Sequence, residues 1–327
     1  MFRTTLLVAV TLSSGLLAGQ GLPLSGPVEG FVFDAPTHGF RAIAGSLGAA
    51  SLGPSLSVAF EFGATAPGRN YAVAYKAGEC SLVTGLDGAT SALAISNSCL
   101  LPDGTAWSGD GTVAVVYSQS GNWFQIVPGL PSQPNPTAPI PLTNLGGTLA
   151  AAAADLNGGR IFLAVTGASS GVYQVQADQS LVLILPMPRP AALAVSNDRQ
   201  ILYALDASTN QIYELNLADM TSQSWAAAGL TNPVSLRPAR DGQGREVVYV
   251  AGGADQALIA YDSVTHAAVA STALDFAPLT MEALAPHSFL LRPRALPDDP
   301  LWSFTDAIAP VAYFIPATPL DSSGGTQ

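Results

Sequence analysis

Short apolar runs recur along the whole chain, and each run ends at a group of turn-forming residues. Residues 201–205 are apolar, residues 206–210 read Asp-Ala-Ser-Thr-Asn, and apolar positions return from Ile212. The runs span about five to seven residues and lack a 3.6-residue period, so they are typical of strands rather than helices. Two such runs joined by a short polar segment predict a β-hairpin. The pattern therefore predicts an all-β chain.

The hairpin pattern repeats along the sequence. Asp34 and Asp206 each begin an Asp-Ala-x-Thr turn, and Asp262 begins the related turn Asp-Ser-x-Thr. Strand-like segments of similar character start at Phe31, Tyr71, Val113, Ile161, Ile201, Val247 and Phe289, with spacings of 40 to 48 residues. A fixed period of this length is typical of repeat architectures. We therefore expect seven structural units.

Two kinds of strand alternate within these units. Short segments rich in small residues, at 56–60, 91–96, 149–154 and 192–196, are predicted to be innermost strands, where several strands converge. The segments that start at Tyr71, Val113 and their equivalents are apolar throughout, as expected of strands buried on both faces. These features predict a seven-bladed β-propeller, with six or eight blades left open. Because the chain opens with a hairpin that lacks an inner strand, we expect N- and C-terminal strands to close the ring.

Composition supports a large core and excludes several partners. Apolar residues make up 48% of the 327 residues and charged residues only 11%, which excludes a disordered chain. The net charge is −11, and the 12 lysines and arginines are scattered. Without a basic patch to neutralise phosphates, nucleic acid and anionic membrane surfaces are excluded as expected partners.

The N-terminus has the pattern of a signal peptide. Arg3 precedes an apolar stretch at 6–12 and the small residues Ala18 and Gly19. This stretch is shorter than the roughly 20 residues that span a bilayer, so we expect no membrane span in the mature chain. The sequence thus predicts a signal peptide over 1–19, one propeller domain over 27–317 and a flexible tail over 318–327. The mature protein is expected to be exported, periplasmic or extracellular, and monomeric.

The chain has two cysteines, Cys80 and Cys99, which lie nineteen positions apart. In an oxidising compartment such a pair predicts a disulfide rather than a metal pair or a nucleophile. Two buried free thiols are the alternative that the sequence leaves open.

Two segments resemble a known repeat unit. Residues 190–217 and 233–265 each read as an inner strand, a polar turn, a second strand and a third strand of the form x-I-x-x-L/Y-D. They are similar to the units of bacterial β-propellers of the YVTN, NHL and quinoprotein-like group. The resemblance is close over residues 190–270 and loose elsewhere in the mature chain. It implies the fold but not an activity, because such units occur in binding proteins, lyases, lactonases and dehydrogenases.

The residues that could carry cofactor or metal chemistry are few. The four tryptophans share no common motif, so no quinone cofactor is predicted, and Trp225 and Trp302 are expected to pack between blades. The three histidines fall in separate units and predict no shared zinc or iron site. Calcium is the metal that the carboxylates allow, although turn aspartates also cap backbone N–H groups. The histidines are His38, His266 and His287, and the candidate carboxylates are Asp34, Asp206, Asp262, Asp306 and the pair Asp298 and Asp299.

These observations favour a non-catalytic binding or scaffold module for a protein or carbohydrate partner. Trp107 and Trp123, which we expect to be exposed loop aromatics, are the candidate contact residues. No catalytic, cofactor-binding or metal-ligating residue is predicted. The alternative is a hydrolase or lyase whose site lies at the mouth of the central channel. A convergence of Asp, His, Arg or Tyr side chains there would favour the enzyme, and a lining of Ala, Ser and Gly would disfavour it.

Overall fold

The structure, a computed structural model, describes residues 27–316 except 47, 57, 97–98, 197, 286, 294–300 and 307–309. The predicted signal peptide (1–19), the predicted tail (318–327) and the pair Asp298 and Asp299 lie outside the described residues. Within the described part of the chain, no helix is long and apolar enough to cross a membrane.

Seven antiparallel sheets follow one another along the chain and form the blades of a seven-bladed β-propeller. In the described residues blade 1 has three strands and the other six blades have four. The predicted blade number is confirmed.

The strands are named in chain order. Blade 1 contains β1 (Val28–Asp34), β2 (Gly39–Ala44) and β3 (Ser51–Ser55). Blade 2 contains β4 (Phe62–Thr65), β5 (Tyr71–Lys76), β6 (Glu79–Thr84) and β7 (Ser91–Ser96). Blade 3 contains β8 (Gly104–Trp107), β9 (Ala114–Ser118), β10 (Trp123–Val127) and β11 (Ile140–Pro141). Blade 4 contains β12 (Gly147–Ala154), β13 (Ile161–Gly167), β14 (Gly171–Val175) and β15 (Leu181–Pro186).

The remaining three blades are equally regular. Blade 5 contains β16 (Pro190–Ser196), β17 (Ile201–Asp206), β18 (Gln211–Asn216) and β19 (Ser222–Ala226). Blade 6 contains β20 (Pro233–Arg240), β21 (Glu246–Gly252), β22 (Ala257–Asp262) and β23 (Ala268–Ala273). Blade 7 contains β24 (Pro278–Ala285), β25 (Ser288–Pro293), β26 (Leu301–Thr305) and β27 (Val311–Ile315).

The hydrophobic core lies between neighbouring blades rather than at a single centre. Second strands supply much of it: every residue of β17 is buried, as the continuous apolar run predicts. Tyr203 of blade 5 and Val248 of blade 6 belong to one cluster. Tyr249 of blade 6 packs against Phe304 of blade 7 with ring centroids 5.0 Å apart. Each blade is thus stabilised mainly by the blades beside it.

The ring closes between strands from the two ends of the chain. β1 contacts both β4 and β24. The Gly68 N–H of blade 2 donates to the Leu284 carbonyl of blade 7 over 2.8 Å, and the Leu52 N–H of β3 donates to the Pro316 carbonyl over 3.2 Å. N- and C-terminal strands therefore meet, as predicted.

Blade 1 has an unusual strand order. The start of β1 lies beside the end of β24, because a Cβ on Gly30 would lie 2.5 Å from Leu284. The end of β1 lies beside the start of β4, because a Cβ on Gly63 would lie 2.6 Å from Phe33. β1 thus runs opposite to β4 and β24, in the direction of a second strand. In blade 1 the strand that lines the channel is thus β1, with the direction of a second strand, which agrees with the prediction of an opening hairpin without an inner strand.

Two of the four predicted inner strands are wrong. Residues 91–96 form β7, the outermost strand of blade 2, and residues 56 and 58–60 lie in no regular strand. Small residues fit a crowded axis, but they are equally tolerated on an open rim, where Leu93 is 62% exposed. The inner strand of blade 2 is instead Phe62–Thr65. The Ala-rich segment at 149–154 and the segment at 192–196 do lie in innermost strands, β12 and β16.

Candidate functional site

The central channel forms a cavity of about 1030 Å³. It is lined by innermost strands of blades 2 to 7 and by β1 of blade 1. Much of its wall consists of small side chains, including Ala64, Ala106, Ala152, Ala153, Ala154, Ala194, Ala239 and Ala283. These residues keep the lumen wide enough for a ligand, because typical small-molecule sites have volumes of about 300–1,000 Å³.

Three charged side chains line the channel where blades 6 and 7 meet. Arg237 projects from β20, Glu282 from β24 and Arg292 from β25. The Arg292 Nε donates to the Glu282 Oε1 over 3.1 Å, so these two side chains form an ion pair. The Arg237 Nε donates to the Met281 carbonyl over 3.1 Å, which ties the guanidinium to the neighbouring strand. The lining is therefore not restricted to Ala, Ser and Gly.

Tyr117 approaches the channel from blade 3. Its ring packs over Gly104, a channel-lining residue, and a Cβ there would lie 2.8 Å from the Tyr117 hydroxyl oxygen. Burial raises the pKa of Tyr117 to about 12; Arg237 acts in the opposite direction, and Asp103 and Glu282 raise it further. Tyr117 therefore lies beside the channel wall at Gly104, and the charge of Arg237 acts on it although the two residues belong to blades 3 and 6. The phenol remains protonated at neutral pH and can donate a hydrogen bond.

The other charged groups of the lining take part in local structure. Asp34 accepts from Arg41 Nη1 over 3.0 Å, and Glu61 accepts from the Ala77 N–H over 2.8 Å. Asp103 accepts from the backbone N–H groups of Gln119 and Ser120. Their lone pairs stabilise turns and a buried arginine. Arg69, an exposed residue of the lining, donates to the Asp110 carbonyl over 3.3 Å. Arg237, Glu282 and Arg292 are the remaining charged groups of the wall.

The predicted disulfide is present and lies away from the charged part of the channel. Cys80 and Cys99 are bonded, with Cα atoms 5.8 Å apart. Cys80 belongs to β6, and Cys99 follows β7. The bond joins the chain after the outermost strand of blade 2 to its third strand, so its role is structural.

The two candidate contact tryptophans differ from the expectation of exposed loop residues. Trp123 lies on β10, is 4% exposed and packs in the cluster between blades 2 and 3. It offers no surface to a partner in this structure. Trp107 ends β8, is partly buried against Tyr71 with ring centroids 6.1 Å apart, and borders the channel.

The histidines lie in three different blades. His38 Nδ1 is 3.2 Å from the Phe60 carbonyl oxygen, and His287 Nδ1 is 3.2 Å from Asp306 Oδ1. The His266 ring stacks on Trp225, 5.0 Å between centroids, beside the buried Glu214. Within the described residues, no group of three or more His, Cys, Asp or Glu side chains is arranged to hold a metal ion.

The turn aspartates bind their own turns. Asp206 Oδ1 accepts from the Ser208 N–H over 2.8 Å, and Asp262 Oδ1 accepts from the Val264 N–H over 2.9 Å. The Asp206 turn joins second and third strands, whereas the Asp262 turn joins third and fourth strands. The two turns are therefore not equivalent positions of the repeat, although their sequences match.

The Asp306 carboxylate lies beside the exposed His287 and the buried Tyr249. The Asp306 side chain is fully buried. Burial raises the pKa of Asp306, and the neighbouring Tyr249 and His287 side chains oppose that shift. These three residues lie outside the channel lining, where they tie blade 6 to blade 7.

Sequence reasoning missed several features. The sequence analysis does not identify Arg237, Glu282 or Tyr117. A charged residue inside β20 is a detectable signal, because the equivalent strands β12 and β16 contain only apolar or small residues. Residues 167–171 also match the pattern G-x-S-x-G. They join β13 to β14 with no helix after them, so they do not form a nucleophile elbow.

No protein-family model and no curated protein sequence matches this chain. Solved structures do resemble it in fold. A functionally unknown protein from Desulfotomaculum acetoxidans aligns with a TM-score of 0.61 and 13% identity, over 88% of this chain and 99% of that one. A catalytically inactive virginiamycin B lyase from Staphylococcus aureus, solved with quinupristin, aligns with a TM-score of 0.57 and 11% identity. The alignment covers 78% of this chain and 84% of the lyase chain.

A third similar structure comes from a protein complex. A chain of the nidogen/laminin complex aligns with a TM-score of 0.53 and 13% identity, over 73% of this chain and 90% of that one. Enzymes and binding proteins therefore both occur among the structures similar to this chain. At these identities the comparisons show the fold alone: the chain is a seven-bladed β-propeller with structural neighbours of the propeller type.

Proposed function

We propose that the protein is an exported, non-catalytic binding module that engages a protein or carbohydrate partner at the mouth of its central channel. The observation that carries the proposal is the channel itself, a cavity of about 1030 Å³ whose wall combines small side chains with a few polar groups. Concave sites of this kind are the usual places of ligand binding. The neighbour from the nidogen/laminin complex shows that the same fold occurs in protein assemblies.

Export and the monomeric state are part of the same proposal. The disulfide between Cys80 and Cys99 supports an oxidising compartment. Sedimentation of the secreted protein and its intact mass before and after reduction test both points. A dimer, or two free thiols in the secreted protein, would contradict them.

The binding experiment compares a blocked channel with an altered outer surface. Leu279 lines the channel and is 40% exposed, and Ala283 lies near it on β24, so Leu279→Trp/Ala283→Trp narrows the lumen. Val264 and Val269 are 72% and 36% exposed on the outer side of blade 6, so Val264→Trp/Val269→Trp is the matched control. Ligands are first selected on the wild type from a peptide library and a glycan array.

We expect the selected ligand to bind the control variant as tightly as the wild type. The blocked variant should bind it at least about tenfold more weakly, a loss of about 1.4 kcal/mol of binding free energy. Circular dichroism and melting temperature verify that both variants fold. Equal binding by all three proteins would contradict channel recognition.

The alternative function is a hydrolase or lyase at the channel mouth. The presence of Arg237 and Glu282 in the channel wall and of Tyr117 beside it favours this function, because such groups can bind an anionic intermediate and move protons. Mass spectrometry of the selected ligand after prolonged incubation distinguishes the two functions. Cleavage that disappears in the blocked variant would establish the enzyme and refute the non-catalytic proposal.

A further inference from the structure

Arg237 is an unpaired cation inside the protein. It is partly buried on β20, in the wall of the channel, and its Nε is bound to the Met281 carbonyl. Among the described residues, its two terminal nitrogens have no hydrogen-bond partner, and no carboxylate lies within 4.0 Å of them. Charged groups inside proteins are normally paired or hydrogen-bonded because the loss of hydration is costly. The channel therefore contains a cation with unused donors.

The acidic group that acts on this cation is already paired. Glu282 is bound by Arg292 over 3.1 Å. Removal from bulk water lowers the pKa of Arg237, and Glu282 raises it. An arginine stays protonated under such a shift, so the guanidinium remains a positive charge.

Tyr117 supplies a second unused donor beside the channel wall. In the described part of the chain its hydroxyl has no hydrogen-bond partner, and the ring is fixed over Gly104. A guanidinium and a phenol are both donors, so the group that satisfies them must be an acceptor. Planar carboxylates match the fork of a guanidinium and accept two hydrogen bonds.

We propose that Arg237 anchors the carboxylate of a monoanionic ligand in the central channel, with the Tyr117 hydroxyl as a second donor. The inference rests on the proposed channel binding and names the chemistry of the ligand. A single negative charge is favoured over a dianion, because the carboxylate of Glu282 borders the same space and would repel additional charge. The small side chains of the wall leave room for the uncharged body of the ligand.

The carboxylate can belong to an organic acid or to an acidic sugar, and the test has an arm for each. Benzoate is compared with benzamide, and glucuronate with glucose, by calorimetric titration of the full mature protein. Inorganic phosphate is a third probe. The variants are Arg237→Gln, Arg237→Lys and Tyr117→Phe, and Arg240→Gln is the matched control because Arg240 lies on the same strand but is exposed and paired with Asp198.

We expect at least one carboxylate to bind at least about tenfold more tightly than its neutral analogue. Arg237→Gln should weaken that binding about tenfold or more, the usual effect of losing a hydrogen bond to a charged group. Arg237→Lys should retain part of the affinity because it keeps the charge without the fork. Tyr117→Phe should weaken binding about fivefold, and Arg240→Gln should leave it unchanged.

Three results would overturn the inference: no carboxylate binds, the neutral analogues bind equally well, or phosphate binds more tightly than either acid. Melting temperatures verify folding, and Arg237→Lys serves if Arg237→Gln unfolds. If peptides or glycans lose affinity in the blocked-channel variant while carboxylates show no preference, the proposed function holds and this inference alone fails. If a carboxylate binds with the expected dependence on Arg237 but no peptide or glycan partner is found, this inference holds and the proposed function fails.

Discussion

Gly104 provides a sensitive test of the channel wall, because it gives Tyr117 the space to approach the lumen. A methyl carbon at Gly104 would lie 2.8 Å from the Tyr117 hydroxyl oxygen and closer still to two ring carbons. The backbone of Gly104 does not adopt a positive φ, so Gly104→Ala tests space alone. Gly88 also lacks a positive φ, and a Cβ there would meet nothing within 4 Å. Gly88→Ala is therefore the matched control.

The two substitutions should have opposite effects on stability. Gly→Ala in open space stabilises a protein by about 0.4–1 kcal/mol, because the unfolded chain loses entropy. Overpacking costs about 1–3 kcal/mol. We therefore expect Gly88→Ala to be neutral or stabilising and Gly104→Ala to be less stable than Gly88→Ala by about 1–3 kcal/mol. Urea unfolding of both variants at one pH measures the difference.

A double-mutant cycle identifies the cause. Tyr117→Ala removes the ring that the new methyl group would strike, so Gly104→Ala should cost little in that background. The coupling free energy is then about 1–3 kcal/mol, well above the few tenths expected for independent sites. If Gly104→Ala is as stable as Gly88→Ala, or if the coupling is below about 0.5 kcal/mol, the described position of the Tyr117 ring is wrong.

Three further predictions concern the frame around the channel. Arg160 donates over 2.7 Å to the Leu217 carbonyl of the next blade, so Arg160→Ala should lower the free energy of unfolding, measured in urea, by about 2 kcal/mol. Arg189 is exposed, so the control Arg189→Ala should change that free energy by less than about 0.5 kcal/mol. Reduction of the bond between Cys80 and Cys99 should cost about 3 kcal/mol from loop entropy, and equal stability with and without reductant would contradict this. The pKa of Asp306 is raised, so the folded state binds this proton more tightly, and the contribution of Asp306 to stability is lost as the pH rises above 3.8. Asp306→Asn should therefore gain stability relative to wild type between pH 4 and pH 7, and a gap independent of pH would refute the shift.

The sequence predicts the architecture because its signals are local and repeated. The wholly apolar segment at 201–205 is recognisable as a strand buried on both faces, and it lies in β17, in which every residue is buried. The opening hairpin is recognisable as a blade without its inner strand, and the direction of β1 agrees. Strand position within a blade is less predictable from composition alone. Ser91–Ser96 and Ala192–Ser196 are both rich in small residues, yet one lies at the rim and the other at the axis.

The candidate site could not be predicted in the same way. Tyr117 belongs to blade 3 and Arg237 to blade 6, and only ring closure places them on the same lumen. Neither residue lies in a recognisable motif. The turn aspartates show the opposite problem, since Asp206 and Asp262 share a motif but occupy different positions of the blade. Local motifs in this chain report turn chemistry, whereas the functional candidates depend on contacts between distant blades.

The central claim is that a ligand occupies the channel, and a crystal structure of the protein with its selected ligand tests it most directly. We expect electron density for the ligand inside the lumen, with an acceptor group within hydrogen-bond distance of the terminal nitrogens of Arg237. Density for the ligand on the outer strands, with the channel holding only solvent, would refute binding in the channel.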